Sequence, residues 1–313
     1  MKQEIAVNTN SKIKSSGICS KIIKTVKKDW AGWLMLAPCV LAFLIFSWQP
    51  IVTTIITSFY ETTGFEVGKF VGLDNYISVV TDSHFITTVV NTFEYALWSF
   101  IFGCIPPIII AVFLNEITFM KGYLRAAVYM PNMIPGVAIA LMWTIMFDPS
   151  EGGLLNMLLG ALGFETSMWL NDPDKVIELI VLTMAWRGIG STVIIYIANL
   201  QGVNHDLYEA ATLDGAGIFK RIRHVTLPHM SGLIKVMMLL NIINSFKIYD
   251  EPISMTGGGP SYASQTLTML IQDYAFTYFR ADKAAAVGVL LALLLGVFSI
   301  VYFKYNMSSE EGE

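Results

Sequence analysis

Charge is scarce in this chain. Asp, Glu, Lys and Arg make up 14% of its 313 residues, against roughly 25% in a soluble domain. With 54% hydrophobic residues and a mean hydropathy of +0.58, it is not a water-soluble globule. Long apolar blocks also exclude a disordered or collagen-like chain. Cysteine is nearly absent: Cys19, Cys39 and Cys104 have no metal-ligand spacing, and the last two sit in apolar blocks, so neither a disulfide framework nor a metal site is expected. The four histidines, His84, His205, His224 and His229, belong to no H-E-x-x-H motif, and G-x-S-x-G is missing, so no catalytic residue is assigned. The nucleotide run G-x-x-x-x-G-K-[ST] is missing too. Gly257 to Gly259, ending in Pro260, read as a flexible turn rather than a phosphate cradle. No cofactor is therefore expected in the chain itself. A net charge of -4 gives no reason to expect nucleic-acid binding. At roughly 20 residues per membrane span, five to eight helices fill the chain and leave no room for an ordinary soluble catalytic domain.

Six apolar runs qualify as spans: Trp33 to Phe59, Phe93 to Leu114, Ala126 to Phe147, Val176 to Leu200, Leu233 to Tyr249, and Ala284 to Tyr305. The first starts too late and runs too long for a cleavable signal peptide. The fifth is short and carries Asn241, Asn244 and Lys247, so neighbours or a water-lined path must shield it. Backbone polar groups in lipid must be satisfied within their own helix, which makes the fold class an all-α integral membrane protein with six transmembrane helices. Pro106 and Pro107 in the second span and Pro131 and Pro135 in the third each remove a helical hydrogen bond and are expected to break or kink it. Such kinks suit moving or pore-lining helices, though proline is common in membrane helices generally.

Lysine and arginine set the orientation. Lys2, Lys12, Lys14, Lys21, Lys24, Lys27 and Lys28 precede the first span. Lys121 and Arg125 mark the second connection, and Lys220, Arg221 and Arg223 the fourth. These regions are expected in the cytoplasm. The other connections are acidic and are expected outside. The domain layout is then a basic cytoplasmic tail over 1–30, a six-span domain over 31–305, and an acidic tail over 306–313 with Glu310, Glu311 and Glu313, both termini being cytoplasmic.

Polar residues at membrane depth are the candidate substrate path: Glu94, Asn132, Arg187, Asn241, Asn244 and Tyr249. A charge at the bilayer centre costs about 2.5 to 3.5 kcal/mol on insertion scales, so Arg187 needs a partner, water or a cavity. Asn241 and Asn244, spaced i,i+3, share one helix side. Their amides suit either the hydroxyls of a passing sugar or hydrogen bonds between helices. Tyr95, Trp98, Trp143 and Tyr249 suit sugar stacking or interfacial anchoring.

The connection over 201–228 has helical patterning of its own. Asp206 and Glu209 have the spacing of a capping box, and Glu209, Ala210, Ala211 and Leu213 continue as a short helix. Asp214-Gly215 stops it. A second helical pattern follows, with Ile218, Phe219, Ile222 and Val225 on one face, ending at Leu227 and Pro228, where proline can open the fifth span.

Glu209-Ala210-Ala211, Gly215 six residues after the Glu, then Val225, Leu227 and Pro228 resemble the EAA loop of binding-protein-dependent ABC importer permeases, with Val225 where the family usually has Ile. Asn199-Leu200-Gln201, Tyr249-Asp250 and Met255-Thr256-Gly257-Gly258-Gly259-Pro260 are similar to the sugar and glycerol-phosphate branch that holds the maltose-transporter permeases. The resemblance implies a type I, MetI-like permease fold and a carbohydrate cargo: a sugar, an oligosaccharide or a related polyol. It implies that Glu209, Ala210, Ala211, Asp214, Gly215, Leu227 and Pro228 form a coupling loop for a separate ATPase that uses ATP and Mg. The implied partners are a second homologous permease, two cytoplasmic ATPase subunits, an extracytoplasmic solute-binding protein and membrane lipid, in a bacterial cytoplasmic membrane. Taken singly, each loop residue has a plainer role: Glu209 as a cap, Gly215 as a helix stop, the basic residues as contacts to lipid headgroups. An ion-coupled secondary transporter using Glu94 and Arg187, or a non-transporting scaffold, are the alternative classes.

Overall fold

The computed structural model describes residues 30–117 and 119–310, with side chains to 304 in the last helix. The lysine-rich tail, Cys19 and the terminal glutamates lie outside the described residues or side chains. Two compact units are present, one ending at Thr54 and the other starting at Ile55.

The described residues of the first unit all lie in helix α1 (Trp30–Thr57), whose last three residues belong to the second; it runs through Pro38 and through a π-turn at Leu44–Trp48. In the second unit, a β-hairpin (β1, Tyr60–Thr63; β2, Glu66–Phe70) turns at Gly64 with φ +65°. A short helix α2 (Asp74–Val80) leads into the 34-residue helix α3 (Ser83–Glu116). Helix α4 (Lys121–Met133, its last turn 3-10) and α5 (Gly136–Met146) meet at a 93° bend. After α6 (Leu154–Ala161), α7 (Val176–Leu200) returns, and α8 (His205–Leu213) leads to α9 (Ile218–Ser245). Two short helices, α10 (Asp250–Met255) and α11 (Leu267–Gln272), precede α12 (Ala281–Glu310). Among the described residues, five helices are long and apolar enough to cross a membrane, and six if the bent pair is one span.

Several expectations are corrected. Pro106 and Pro107 do not interrupt α3, which spans both as one helix. Membrane helices tolerate proline where neighbours and local adjustment satisfy the freed carbonyls. Pro131 and Pro135 do break their span, because two prolines bracket the turn and Ile134 takes extended backbone before the second. The fifth span is not the short run Leu233 to Tyr249. It begins at Ile218, passes Pro228 without a break and stops at Ser245, leaving Lys247 beyond it. A π-turn at Ile222–Thr226 precedes Leu227 and joins the loop helix to the span.

Three buried clusters hold the second unit together. Val79, Phe85, Phe246, Leu270 and Val287 gather at one end. Tyr95, Phe147, Ile180, Val181 and Met255 form a second, around the start of α7. Ala111, Val193, Tyr196, Leu200 and Met230 lie toward the other end. Helix α7 packs along α3, and Gly190 lets it touch α4: a Cβ there would stand 2.6 Å from the Tyr129 Cα.

The two ends of the bundle are distinct. At one, Asp282 accepts from the Thr62 amide at 3.4 Å and Tyr274 donates to Asp82 at 3.1 Å. At the other, Arg221 reaches Glu116 at 3.4 Å and Lys121 donates to the Asn115 carbonyl at 3.2 Å. Connections of like charge pattern thus sit together.

Candidate functional site

The loop between α7 and α9 is a helix, a turn and a helix. Asn204, not Asp206, caps α8: its side chain accepts from the Asp206 amide at 3.0 Å. An asparagine with extended backbone just ahead of the helix satisfies an orphan amide, and Asp206 is already inside the first turn. Glu209 therefore does not close a capping box. It lies on the exposed face, 3.3 Å from His205. The helix ends in a Schellman arrangement: the Ala216 amide donates to Ala211 at 2.9 Å and the Gly215 amide to Thr212 at 3.0 Å. Gly215 has φ +73°, a left-handed conformation that costs any residue with a Cβ. Ala210 is exposed and Ala211 half-buried, Asp214 is the C-cap, and Leu227 and Pro228 are exposed in α9.

Two large apolar side chains flank the turn almost bare, Leu213 at 89% exposure and Phe219 at 83%. The loop is nonetheless anchored. Tyr208 and Thr226 share a hydrogen bond of 3.0 Å, and Arg221 bonds Thr212 at 3.3 Å as well as pairing with Glu116. A cleft of about 660 Å³ lies against it, lined by Glu116, Lys121, His205, Glu209, Leu213 and Arg221 among others.

The deep polar residues divide into three groups. Arg187 on α7 pairs with Glu251 on α10 at 2.5 Å, their side chains 34% and 12% exposed. Gly136, first residue of α5, makes room: a Cβ there would lie 2.5 Å from Arg187 Nη1. Tyr249 immediately precedes the helix that carries Glu251, and Asn132 sits half-buried in the 3-10 turn at the break before Gly136. Asn241 lies elsewhere, on α9 against Gly103, where a Cβ would come within 2.6 Å of its Nδ2. Its Oδ1 is buried without a hydrogen-bond partner among the described residues. It opens on a cavity of about 130 Å³ lined also by Ser99, Gly188 and Thr192. Asn244 is exposed and does not line this cavity. Glu94, half-buried on α3, accepts from the Trp98 indole at 3.4 Å.

Sequence reasoning missed Glu251, Gly136, Gly103 and Glu116. The only available signal was indirect: an arginine at membrane depth demands a partner, without saying which of several acidic residues supplies it. The glycine-rich segment is also different from the flexible turn expected. Gly258 is buried, the Ser264 hydroxyl donates to the Gly259 carbonyl at 2.7 Å, and Tyr95 donates to the Ser264 carbonyl at 3.0 Å. Asn91 donates to the Tyr262 and Gln265 carbonyls at 2.8 and 3.1 Å, so α3 holds this segment against the bundle.

Several helices long and apolar enough to cross a membrane, with polar side chains and glycines facing each other inside the second unit and a structured loop outside it, define a multi-pass, mostly helical membrane permease. Residues 107–307 match the family described as the binding-protein-dependent transport system inner membrane component. The chain belongs to that family of ABC importer permeases, whose fold is MetI-like. It is 31% identical over 283 residues to the arabinooligosaccharides transport system permease protein AraP of Bacillus subtilis, covering 90% of each chain. It is 32% identical to the trehalose/maltose transport system permease protein MalF of Thermococcus litoralis, over 87% of this chain and 92% of that one. Among solved structures it resembles a bacterial ABC transporter involved in the import of the acidic polysaccharide alginate, with a TM-score of 0.83, 24% identity, and coverage of 92% of this chain and 99% of that chain. A bacterial alginate ABC transporter in complex with an alginate pentasaccharide-bound periplasmic protein gives 0.80 at 25% identity, over 89% and 94%.

Proposed function

We propose that this chain forms half of the path by which an ATP-driven importer carries a carbohydrate, and that it couples to a separate ATPase through the loop at Glu209. The observation that carries the coupling is the bare pair Leu213 and Phe219 on either side of a capped, rigid turn. Large apolar groups held in water on an ordered loop are the mark of a docking surface. Glu209 beside them offers a charge to a basic partner, and Ala210 and Ala211 permit close helix approach. Transport relatives named for arabinooligosaccharides and for trehalose and maltose support a sugar, oligosaccharide or related polyol as cargo.

The remaining partners follow from the family: a second homologous permease, two ATPase subunits on the loop side, and a solute-binding protein on the other side. ATP and Mg are used by the ATPase. With the basic connections inward, the Glu209 loop and both termini face the cytoplasm. Closure of the ATPase pair would displace α8, and the bonds to Thr226 and Glu116 would pass that displacement to α9 and α3. Helix α9 is continuous from Ile218 to Ser245, about 42 Å at 1.5 Å per residue, so it reaches from the loop to the Asn241 cavity. A two-state rocking of these helices exchanges inward for outward access. The unpaired Asn241 Oδ1 is suited to a sugar hydroxyl, since a buried acceptor without a donor costs about 1–3 kcal/mol.

Replacing Glu209 and Gly215 together is expected to abolish uptake and ATPase association while membrane insertion persists. Unchanged uptake would overturn the coupling. Uptake that an ionophore collapses while ATP stays high would point to ion coupling instead.

A further inference from the structure

Helices α4 and α7 touch at Gly190 and separate toward the loop end, where a groove of about 330 Å³ opens between them. One wall is the α7 stripe Ile194, Ile197, Ala198 and Gln201, whose spacing puts all four on one helix side. The other is Arg125, Ala126 and Tyr129 of α4. Ile197 is buried and forms the floor, whereas Ile194, Ala198 and Ala126 are exposed along the rim. The chemistry is graded along the groove. Gln201 ends α7 and Arg125 lies in the opening turns of α4, so the polar groups sit at the mouth. Ile194 is seven residues deeper than Gln201, roughly 10 Å.

Arg125 is the unusual member. Its Nε is buried and has no hydrogen-bond partner among the described residues, and it enters none of the ion pairs found there. A guanidinium carries five donors and cannot lose its charge, so a half-buried one without an acceptor is poised for an anion. Lys121, one turn earlier on the same helix, lines the neighbouring cleft and not this groove, so Arg125 is the cation among the residues that line it. Membrane-level grooves with a basic mouth and an apolar floor accept an anionic headgroup above and its acyl chain below.

We propose that the groove between α4 and α7 holds one anionic phospholipid, its phosphate on Arg125 and Gln201 and the start of an acyl chain along Ala126, Ile194 and Ala198. This site takes no part in the coupling argued above and stands or falls separately. A lipid wedged there would fix the angle at which α4 leaves α7, just before the 93° break that positions Gly136.

The test uses the full-length chain, with the subunits that co-purify, in nanodiscs of phosphatidylglycerol and phosphatidylcholine, followed by delipidation and native mass spectrometry. One retained phosphatidylglycerol is expected, with no retained phosphatidylcholine. Arg125→Gln should lower retention about fivefold, the factor matching about 1 kcal/mol per basic residue at an anionic surface. Arg125→Lys should keep most of it. Ala198→Phe, which fills the groove and leaves Arg125 in place, should lower retention at least as far, so a folding defect at Arg125 cannot imitate the result. The proposal is overturned by retention that survives both Arg125→Gln and Ala198→Phe. It is equally overturned if free glycerol phosphate displaces the lipid at equal concentration, which would make this a soluble phosphate site. A photo-crosslinker at position 198 that labels a protein subunit rather than lipid would overturn it as well.

Discussion

Arg187 donates to Glu251 at 2.5 Å through the space left by the missing side chain of Gly136, so one ion pair joins α7, α10 and the start of α5. The pair spans 64 residues of sequence. It ties the helix break at Pro131–Pro135 to the segment following the fifth span, and so its loss should be felt in both. Glu251→Gln leaves a half-buried guanidinium without its counter-charge. The expected cost is roughly 2 kcal/mol, toward the low end for such pairs because Arg187 is one-third exposed. Thermal denaturation of the purified chain should register this as a midpoint lower by several degrees. In a double-mutant cycle with Arg187→Met, the second change should cost little once the first is made. Additive losses would show that the two side chains do not act together.

Two glycines make opposite predictions from similar crowding. At Gly136 an added Cβ meets the tip of the flexible Arg187 side chain, which can swing aside. At Gly190 it meets the backbone of Val128 and Tyr129, which cannot. Gly136→Ala should therefore express and insert normally but abolish the coupling energy between Arg187 and Glu251. Gly190→Ala should reduce the yield of folded protein, since overpacking against backbone costs about 1–3 kcal/mol or more. Equal yields of the two variants would contradict the close approach of α7 to α4.

The apolar runs made most of the helices legible. Val176 to Leu200 has the same bounds in sequence and structure, and Gly215 takes the left-handed turn that Asp-Gly forecasts. What escaped depends on neighbours distant in sequence. Nothing local to Pro106-Pro107 reveals that α3 runs on through them. The fifth span looked short because its loop-side residues, Lys220, Arg221 and Arg223, are polar, although the helix simply continues through them. Asp206 and Asn204 are both competent caps, and backbone conformation two residues earlier decides between them. The β-hairpin at Tyr60–Phe70 is anchored by Asp282 through Thr62, more than 200 residues away, and no periodicity announces such a pair.

Glu116 and Arg221 join the end of α3 to the first turn of α9 at 3.4 Å, with side chains about one-quarter exposed. A pair so placed contributes little stability, on the order of 1 kcal/mol or less. Its value under the proposed mechanism is to make α3 follow the loop. Arg221→Gln and Glu116→Gln should each leave insertion and thermal stability nearly unchanged while lowering substrate-stimulated ATP hydrolysis by the assembled transporter. The exchange Glu116→Arg with Arg221→Glu should recover part of it. Full activity in both single variants would remove this pair from the transmission path.

At the opposite end, Tyr274 is buried in the turn that follows α11, and its hydroxyl donates at 3.1 Å to Asp82, the residue that caps α3. Burial, reinforced by the neighbouring Asp82 carboxylate, pushes its phenol up to about 12 from an ordinary 10. The folded state therefore holds this proton more tightly than the unfolded one. The stabilisation is complete below pH 10 and disappears as the pH climbs from 10 toward 12. Asp82 also caps α3 by accepting from the His84 amide at 2.9 Å, so an ionised Tyr274 would face a carboxylate that cannot rotate away without uncapping the helix. In an alkaline titration followed by tyrosinate absorbance, the difference between the natural chain and Tyr274→Phe should be a single transition near pH 12. Chemical denaturation of Tyr274→Phe should lack the part of the alkaline stability loss that this group causes. A difference transition near pH 10 would mean that the phenol is open to water and that the bond to Asp82 does not hold this end of the bundle together.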